Sequence, residues 1–349
     1  MTAANVPLVS IIVNNFNYGR FVGDAIDSAL AQTHPHCEVV VVDDGSTDDS
    51  RSVIERFGSR VVPLFQANGG QGAAMNAGFA LSRGEIVMFL DSDDVLEPNA
   101  VARALELFEP GVDRVQFALS FIDENGAPIG GQFPPRGASL ETGVLASRVA
   151  QAPIPNTPPT SGNAFSRRVL EKILPMPAAD WRICADSYLL VVSALHGAVA
   201  GTDEPLGRYR VHRKNNWAAQ EMLTTEQLLK LFENEARKAA ALRGAAGPLG
   251  IAVAADWELR NPWYLDLRLF MLVHHPDRHP FSADTVGRLA RIGVRTSLSS
   301  GASPRAILKA AFYASLPLLP RGARRAVTQW RVAPGTRPTF LRRGDQPRA

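Results

Sequence analysis

Four short apolar runs open the chain at regular intervals: Leu8–Val13, Val39–Val42, Val61–Phe65 and Ile86–Leu90. Each is of strand length, and helix-like stretches separate them over Phe21–Ala31, Asp48–Phe57 and Gln71–Leu81. Strands that are apolar on both faces and alternate with helices predict a parallel sheet covered on each side. Ser46 or Thr47 stands where it can cap the second helix, whose first turn carries Asp48 and Asp49. Further on, Val115–Ile122 predicts a strand, Ala152–Asn163 a Pro-rich loop and Asp186–His196 a helix. After His212 the periodicity turns helical, over Glu221–Leu242, Ile251–Val273, Ala283–Ser297 and Pro304–Leu316, with Gly- or Pro-containing interruptions. No internal repeat is present.

Composition narrows the class. A length of 349 residues allows two domains, and 46% hydrophobic with 20% charged residues is ordinary globular usage. The net charge of +3 hides an asymmetry: residues 1–218 sum to −7 and residues 219–349 to +10. Two cysteines, Cys37 and Cys184, are too few for a disulfide framework or a Cys-based zinc site. The N-terminus lacks the basic and apolar regions of a secretory signal, and no run approaches the roughly 18 apolar residues of a spanning helix. A cytoplasmic protein is expected.

In open α/β sheets ligands sit beyond the carboxyl ends of the strands. Two acidic groups fall there, Asp43-Asp44 after the second run and Asp91-Ser92-Asp93-Asp94 after the fourth. Carboxylates crowded at one sheet edge repel unless a cation or hydrogen-bond donors intervene. An oxygen-only set suits Mg²⁺ or Mn²⁺, commonly shared with substrate phosphates. The pattern therefore points to a nucleotide or diphosphate ligand bridged by a metal. The glycines of Asn68–Gly72 can bring amides close to phosphates, or can equally serve a tight strand–helix turn. A dinucleotide fingerprint and a P-loop are both absent.

The segments VSIIVNNFNYGRFVGDAIDSALAQTHPHCEVVVVDDGSTDDS and NGGQGAAMNAGFALSRGEIVMFLDSDDVLEP resemble family 2 glycosyltransferases. The likeness is dense over about the first hundred residues and thinner to about residue 218. It implies a GT-A-type, Rossmann-like α/β fold with a mostly parallel sheet flanked by helices, followed by a mainly helical C-terminal extension. It also implies inverting transfer of a sugar from a nucleotide-activated donor, with Mn²⁺ or Mg²⁺. In family terms Asp44, beside Asp43, faces the nucleobase edge, which favours a UDP-sugar, since an acceptor-only carboxylate suits a uracil-like N–H. Asn14, Asn15, Phe16 and Tyr18 follow the first strand, where the family holds the base. Asp93 lies near ribose and metal, Asp94 or Asp93 ligates the metal, and Asp91 stands beside them. Asn76 and Gly72 face the donor, and Gly162 and Asn163 border the acceptor.

Inversion needs a base for the incoming hydroxyl. Asp186 matches the family's Asp before a helix, although Ala185 replaces the usual neighbouring acid; Asp180 is the alternative. His212 resembles a late histidine near the metal or leaving diphosphate, and Arg210, Arg213 and Lys214 could offset diphosphate charge. Two competing readings are a catalytically impaired nucleotide-sugar-binding scaffold, which Ala185 favours, and a nucleotidyltransferase, whose Gly-rich, Lys-bearing signature is missing.

Residues 1–218 are thus expected to form the catalytic domain, 219–335 a basic helical extension and 336–349 a disordered tail. The acceptor implied is a glycan or a lipid-linked sugar in polysaccharide, glycolipid or other surface-glycan synthesis. Basic residues flanking Leu, Phe and Trp over 304–335 fit peripheral contact with an anionic membrane. They fit equally a helix packed on the protein, and a homodimer contact is a further role open to this part. Nucleic acid is not expected, because no aromatic-interleaved recognition module accompanies the arginines.

Overall fold

The computed structural model describes residues 6–138, 140–212, 223–299, 301 and 303–333. The expected tail 336–349, together with Arg213, Lys214 and Glu221, lies outside the described residues. The chain divides into two compact units. One comprises Met1–Val149, Ile154–Ala218 and Gly244–Ile251, the other Ala150–Pro153, Ala219–Arg243 and Ala252–Ala349.

The first unit opens with β1 (Val9–Asn15), α1 (Gly19–Leu30), β2 (Cys37–Asp43), α2 (Ser50–Glu55), β3 (Val62–Phe65), α3 (Gln71–Leu81) and β4 (Ile86–Asp91). The four strands lie side by side in the order β3-β2-β1-β4, all parallel. Every residue of β1 is buried, which explains why the run carries no polar alternation. Helix α2 starts at Ser50, later than expected, and neither Ser46 nor Thr47 caps it. Asp43 captures the Ser46 hydroxyl, while the Asp48 carboxylate accepts from Ser50 N at 3.0 Å.

The remaining strands change the sheet's character. They are β5 (Val95–Leu96), β6 (Val112–Ile122), β7 (Pro128–Phe133), β8 (Gly143–Val144), β9 (Asn163–Ser166) and β10 (Ala198–Arg210). Between them lie α4 (Ala100–Leu105), α5 (Ala146–Gln151), α6 (Arg167–Ile173) and α7 (Asp186–Ser193). Strand β9 runs antiparallel between β4 and β6, and β6 pairs with β10 in parallel. Two antiparallel steps through β9 bring β6 and β10 back to the direction of β1–β4, so the mostly parallel sheet expected is found, with β9 inserted and β5, β7 and β8 added antiparallel. Strand β9 covers just four residues within a Pro-flanked stretch, too short to announce itself by pattern.

The second unit contains α8 (Thr225–Ala246), α9 (Pro262–His274), α10 (Val286–Leu298), α11 (Pro304–Ser315) and α12 (Arg321–Val332). The single helix expected over Ile251–Val273 is interrupted. Asn261 caps α9 by accepting from Trp263 N and Tyr264 N, and Pro262 occupies the first turn. The apolar core here gathers Leu231, Phe232, Tyr264, Leu265, Leu269, Met271, Leu289, Tyr313 and Leu316. No helix among the described residues is long and apolar enough to cross a membrane.

A buried ion cluster ties this unit together. Asp284 Oδ2 accepts from Arg268 Nε and Nη2 at 2.8 and 2.6 Å and lies 3.0 Å from His279 Nε2, while Oδ1 accepts from Arg288. Burial alone would push the Asp284 carboxyl up, but the hydrogen bonds and charges of His279 and Arg268 outweigh it and hold it below the usual range. A lowered native value means that the stabilisation is complete above the unfolded value, about 3.9, and is lost as pH falls through the native one. Asp284→Ala should cost about 3–5 kcal/mol, because Arg268 would remain buried without its counter-ion. Denaturant unfolding of both chains at neutral pH checks this, and a difference under about 0.5 kcal/mol, the scatter of surface changes, would refute it.

Candidate active site

The parallel strands end together, and their carboxyl edge opens into a cleft of about 440 Å³. Register places Asn14 of β1 directly beside Asp91 of β4, and Asn15 beside Asp43 of β2. The cleft brings together Asn14, Asn15, Phe16, Tyr18, Asp44, Asp91, Asp93 and Asp186 of the expected residues. It also includes Gln71, Thr160, Arg182, Ile183, Cys184 and Tyr209.

Burial and crowding set the electrostatics. Asp91 is pushed up to about 8, first by burial and then by the charges of Asp93 and Asp186. Asp94 is also raised well above the carboxylate range, by burial and then by Asp93 and Asp91. Tyr18 rises to about 12, through burial first and then the same three acids. Tyr209 is raised for the same reasons. The cleft thus carries more negative charge than its protein donors offset.

Asp93 Oδ2 and His212 Nε2 stand 3.0 Å apart. That is hydrogen-bond distance, and both side chains are of types that can also ligate a divalent cation. No cluster of three or more His, Cys, Asp or Glu groups that could hold a metal is assembled among the described residues.

Several expected roles need correcting. Each oxygen of Asp94 accepts one bond, Oδ2 from Ser161 Oγ at 2.6 Å and Oδ1 from Arg210 N at 3.0 Å, so Asp94 braces the turn from behind the cleft-lining residues. Arg210 does not line the cleft. Its guanidinium turns inward over Phe21, donates to Asp93 O at 2.8 Å and pairs with Asp24 at 2.9 Å. Strand alternation sends its neighbour Tyr209 into the cleft instead. Asp43, only 3% exposed, accepts from Asn15 Nδ2 and Ser46, and so fixes the β1–β2 edge without facing the cleft.

Asn76 brackets the Met176 backbone with two hydrogen bonds of 2.9 Å and is not a cleft residue. Asn163, fully buried, donates to Pro158 O and Pro159 O, and Gly162 packs against Pro158 and Phe117. Thr160, two residues earlier, reaches the cleft in their place. Asp180 is exposed and lies outside the cleft.

The glycine loop has a definite job. Asp44 accepts from Gln66 Nε2, Asn68 Nδ2, Gly69 N and Gly70 N, which fills its acceptor capacity. The next two amides, Gln71 N and Gly72 N, donate to Arg182 O and Trp181 O at 2.9 and 2.8 Å. Four successive amides are therefore spent on the protein, and the loop serves close packing rather than a phosphate. Gly70 has φ +89°, and a Cβ there would lie 2.5 Å from Arg182 Cα. Open hydrogen-bonding capacity lies elsewhere: Asn14 Nδ2 and Oδ1, and Asn15 Oδ1, are buried without a partner among the described residues.

Gln71 was not singled out in the sequence, yet its side chain joins two parts of the site. Its Nε2 donates to Asp91 Oδ1 at 3.3 Å and its Oε1 accepts from Ala185 N at 2.9 Å, one residue before Asp186. Its place inside the glycine loop was the available signal. Nothing in the sequence marks Arg182, whose position depends on the irregular segment before α7.

An acid-lined cleft at the carboxyl edge of a parallel strand set places the chain among α/β enzymes. Its relatives are specific. The family model for glycosyl transferase family 2 matches residues 10–173. A glycosyltransferase of Nostoc sp. is 42% identical over 227 residues, covering 64% of this chain and 70% of that protein. Chondroitin synthase of Escherichia coli is 41% identical over 110 residues, covering 31% of this chain and 16% of the synthase. The crystal structure of S. aureus TarS 1–349 matches with a TM-score of 0.49 at 16% identity, covering 92% of this chain and 91% of that one. The chain belongs to glycosyl transferase family 2 and is a glycosyltransferase.

Gly70→Ala should destabilise the first unit by about 1–3 kcal/mol, combining a positive φ with the Arg182 overlap. Thermal unfolding measures it; an unchanged midpoint would mean that the loop does not rely on this close approach.

Proposed function

We propose that this glycosyltransferase moves a sugar from a nucleotide-sugar, a UDP-sugar by preference, to an acceptor hydroxyl with inversion and with a divalent metal ion. Residues 1–218 would be the catalytic domain. The observation that carries the reading is Asp186: it opens α7, lines the same cleft as Asp91 and Asp93, and its charge helps to raise Asp91.

Phe16, 45% exposed at the cleft, offers a face on which a base could stack. With Asp44 saturated, the unpartnered Asn15 Oδ1 and the Asn14 amide are the better readers of a base or ribose edge. Asp93 and His212 would hold the metal, which when bound offsets the diphosphate charge. Asp186 would take the proton from the acceptor hydroxyl as the bond between the anomeric carbon and the diphosphate breaks. Attack opposite the leaving group gives inversion. Gln71 would fix the backbone just before Asp186 while touching Asp91. The likeness to chondroitin synthase supports a glycan or lipid-linked acceptor in surface-polysaccharide synthesis.

Transfer assayed against a panel of nucleotide sugars with Mn²⁺ tests the reading. Asp186→Asn should lower kcat roughly 10²–10⁴-fold while leaving nucleotide affinity intact. Asp93→Ala should lower activity by roughly 10²–10³-fold and weaken the metal dependence. Turnover untouched by both changes would overturn the mechanism; nucleotide binding without transfer to any acceptor would favour a binding scaffold. Gln71→Leu should reduce kcat roughly tenfold with little change in donor KM, the size expected for about one hydrogen bond. An effect confined to KM would contradict its placement beside the base.

A further inference from the structure

All the cleft-lining residues belong to the first unit, and the second carries a distinctive surface of its own. From Thr285 to Gly344 the sequence contains no Asp or Glu but twelve Lys and Arg. Some of these are accounted for: Arg288 reaches Asp284, Arg331 reaches Asp266, and Arg324 donates to the carbonyls of Leu316, Pro317 and Leu319. Arg305, Arg321 and Arg325 are exposed and make no ion pair among the described residues.

Helix α11 lies among them in an unusual orientation. It buries Ala310 and Tyr313 and turns Ile307 and Leu308 outward, at 52% and 74% exposure. Ala311 and Ala314 are exposed as well, and the spacing 307, 308, 311, 314 places all four on one helix face without an intervening charge. Leu318, in the turn that follows, is 85% exposed. A surface helix ordinarily points its polar face at water. Here the outward face is apolar, and the cations stand at its margins, Arg305 before it and Arg321 and Arg325 after it.

Charge selects the occupant. The chain beyond residue 333 adds Arg337, Arg342, Arg343 and Arg348 against a single Asp345, so it repeats the sign of the margin. A second copy docking face to face would set like charges against each other. An anionic bilayer supplies both missing parts, negative headgroups for the arginines and an acyl boundary for the leucines. We propose that α11 and the turn after it dock on the surface of an anionic lipid bilayer without crossing it.

Co-sedimentation of the full chain with phosphatidylcholine vesicles, with and without phosphatidylglycerol, tests this apart from any transfer activity. The chain should partition only onto the anionic vesicles and be released by high salt. Leu308→Ser with Leu318→Ser should lower that partition roughly tenfold, as these side chains would otherwise leave water on docking. Arg305→Gln, Arg321→Gln and Arg325→Gln together should do the same through lost headgroup attraction. All five positions are exposed, so unfolding midpoints should stay at the wild-type value. No partition by the wild-type chain, equal partition onto neutral vesicles, or full retention by either variant would overturn the proposal. A concentration-dependent dimer abolished by Leu308→Ser would assign the face to a second copy instead.

Discussion

Asp91, Asp93 and Asp94 sit on one turn at the end of a buried strand, and their mutual repulsion is the constraint around which the first unit is built. Each member meets it differently. Asp94 is drawn inward, where Ser161 and the Arg210 backbone donate to it. Asp93 faces His212, and Arg210 holds its carbonyl from behind. Asp91 stays in the cleft with little beyond the Gln71 amide and a Thr160 hydrogen bond to offset its burial, and it is pushed up to about 8. Burial and neighbouring like charges act in the same direction, favouring the protonated forms of Asp91 and Asp94. Three together form a site whose unmet demand for positive charge a divalent ion can satisfy.

That arrangement depends on strands and loops distant in sequence. Arg210, at the end of β10, reaches Asp93, Asp24 and Glu124, so one buried guanidinium unites the acid turn with α1 and the turn after β6. Its place behind the cleft is therefore no loss to the site. A guanidinium facing the acids would pair with their carboxylates, whereas one behind them fixes the Asp93 backbone carbonyl instead.

Much of this was legible from pattern. Strands β1–β4, the helices between them and the acids at their ends follow from apolar runs and punctuation. Pattern pointed to Asp44, Asp91 and Asp93, and the resemblance to family 2 glycosyltransferases added Asn14, Asn15, Phe16, Tyr18 and Asp186; all eight line the cleft. Hydrogen-bond saturation was not legible. Asp43 and Asn76 look like ligand-binding groups as residue types, yet their hydrogen bonds go to neighbours that folding brings in, such as Met176 for Asn76, one hundred residues away. The mixed right half of the sheet was equally hidden, because β9 is short and gets its partners from β4 and β6 rather than from its own periodicity.

The glycine loop ties together two parts of the cleft, which in the proposed reaction would serve the donor and the acceptor. Had its amides cradled a phosphate, the donor site would be complete without α7. Instead Gln71 N and Gly72 N bind the Trp181–Arg182 backbone, and the Gln71 side chain binds Ala185 N. The segment that delivers Asp186 is thus attached to the loop that Asp44 organises through four hydrogen bonds. A small displacement on either side must be transmitted to the other, since backbone bonds of 2.8–2.9 Å tolerate little slack. Ala185 fits the same logic. An acid there would sit beside Asp186, whose charge already raises Asp91, and alanine adds none; the Gln71 bond uses only the backbone N–H at 185 and is indifferent to the side chain.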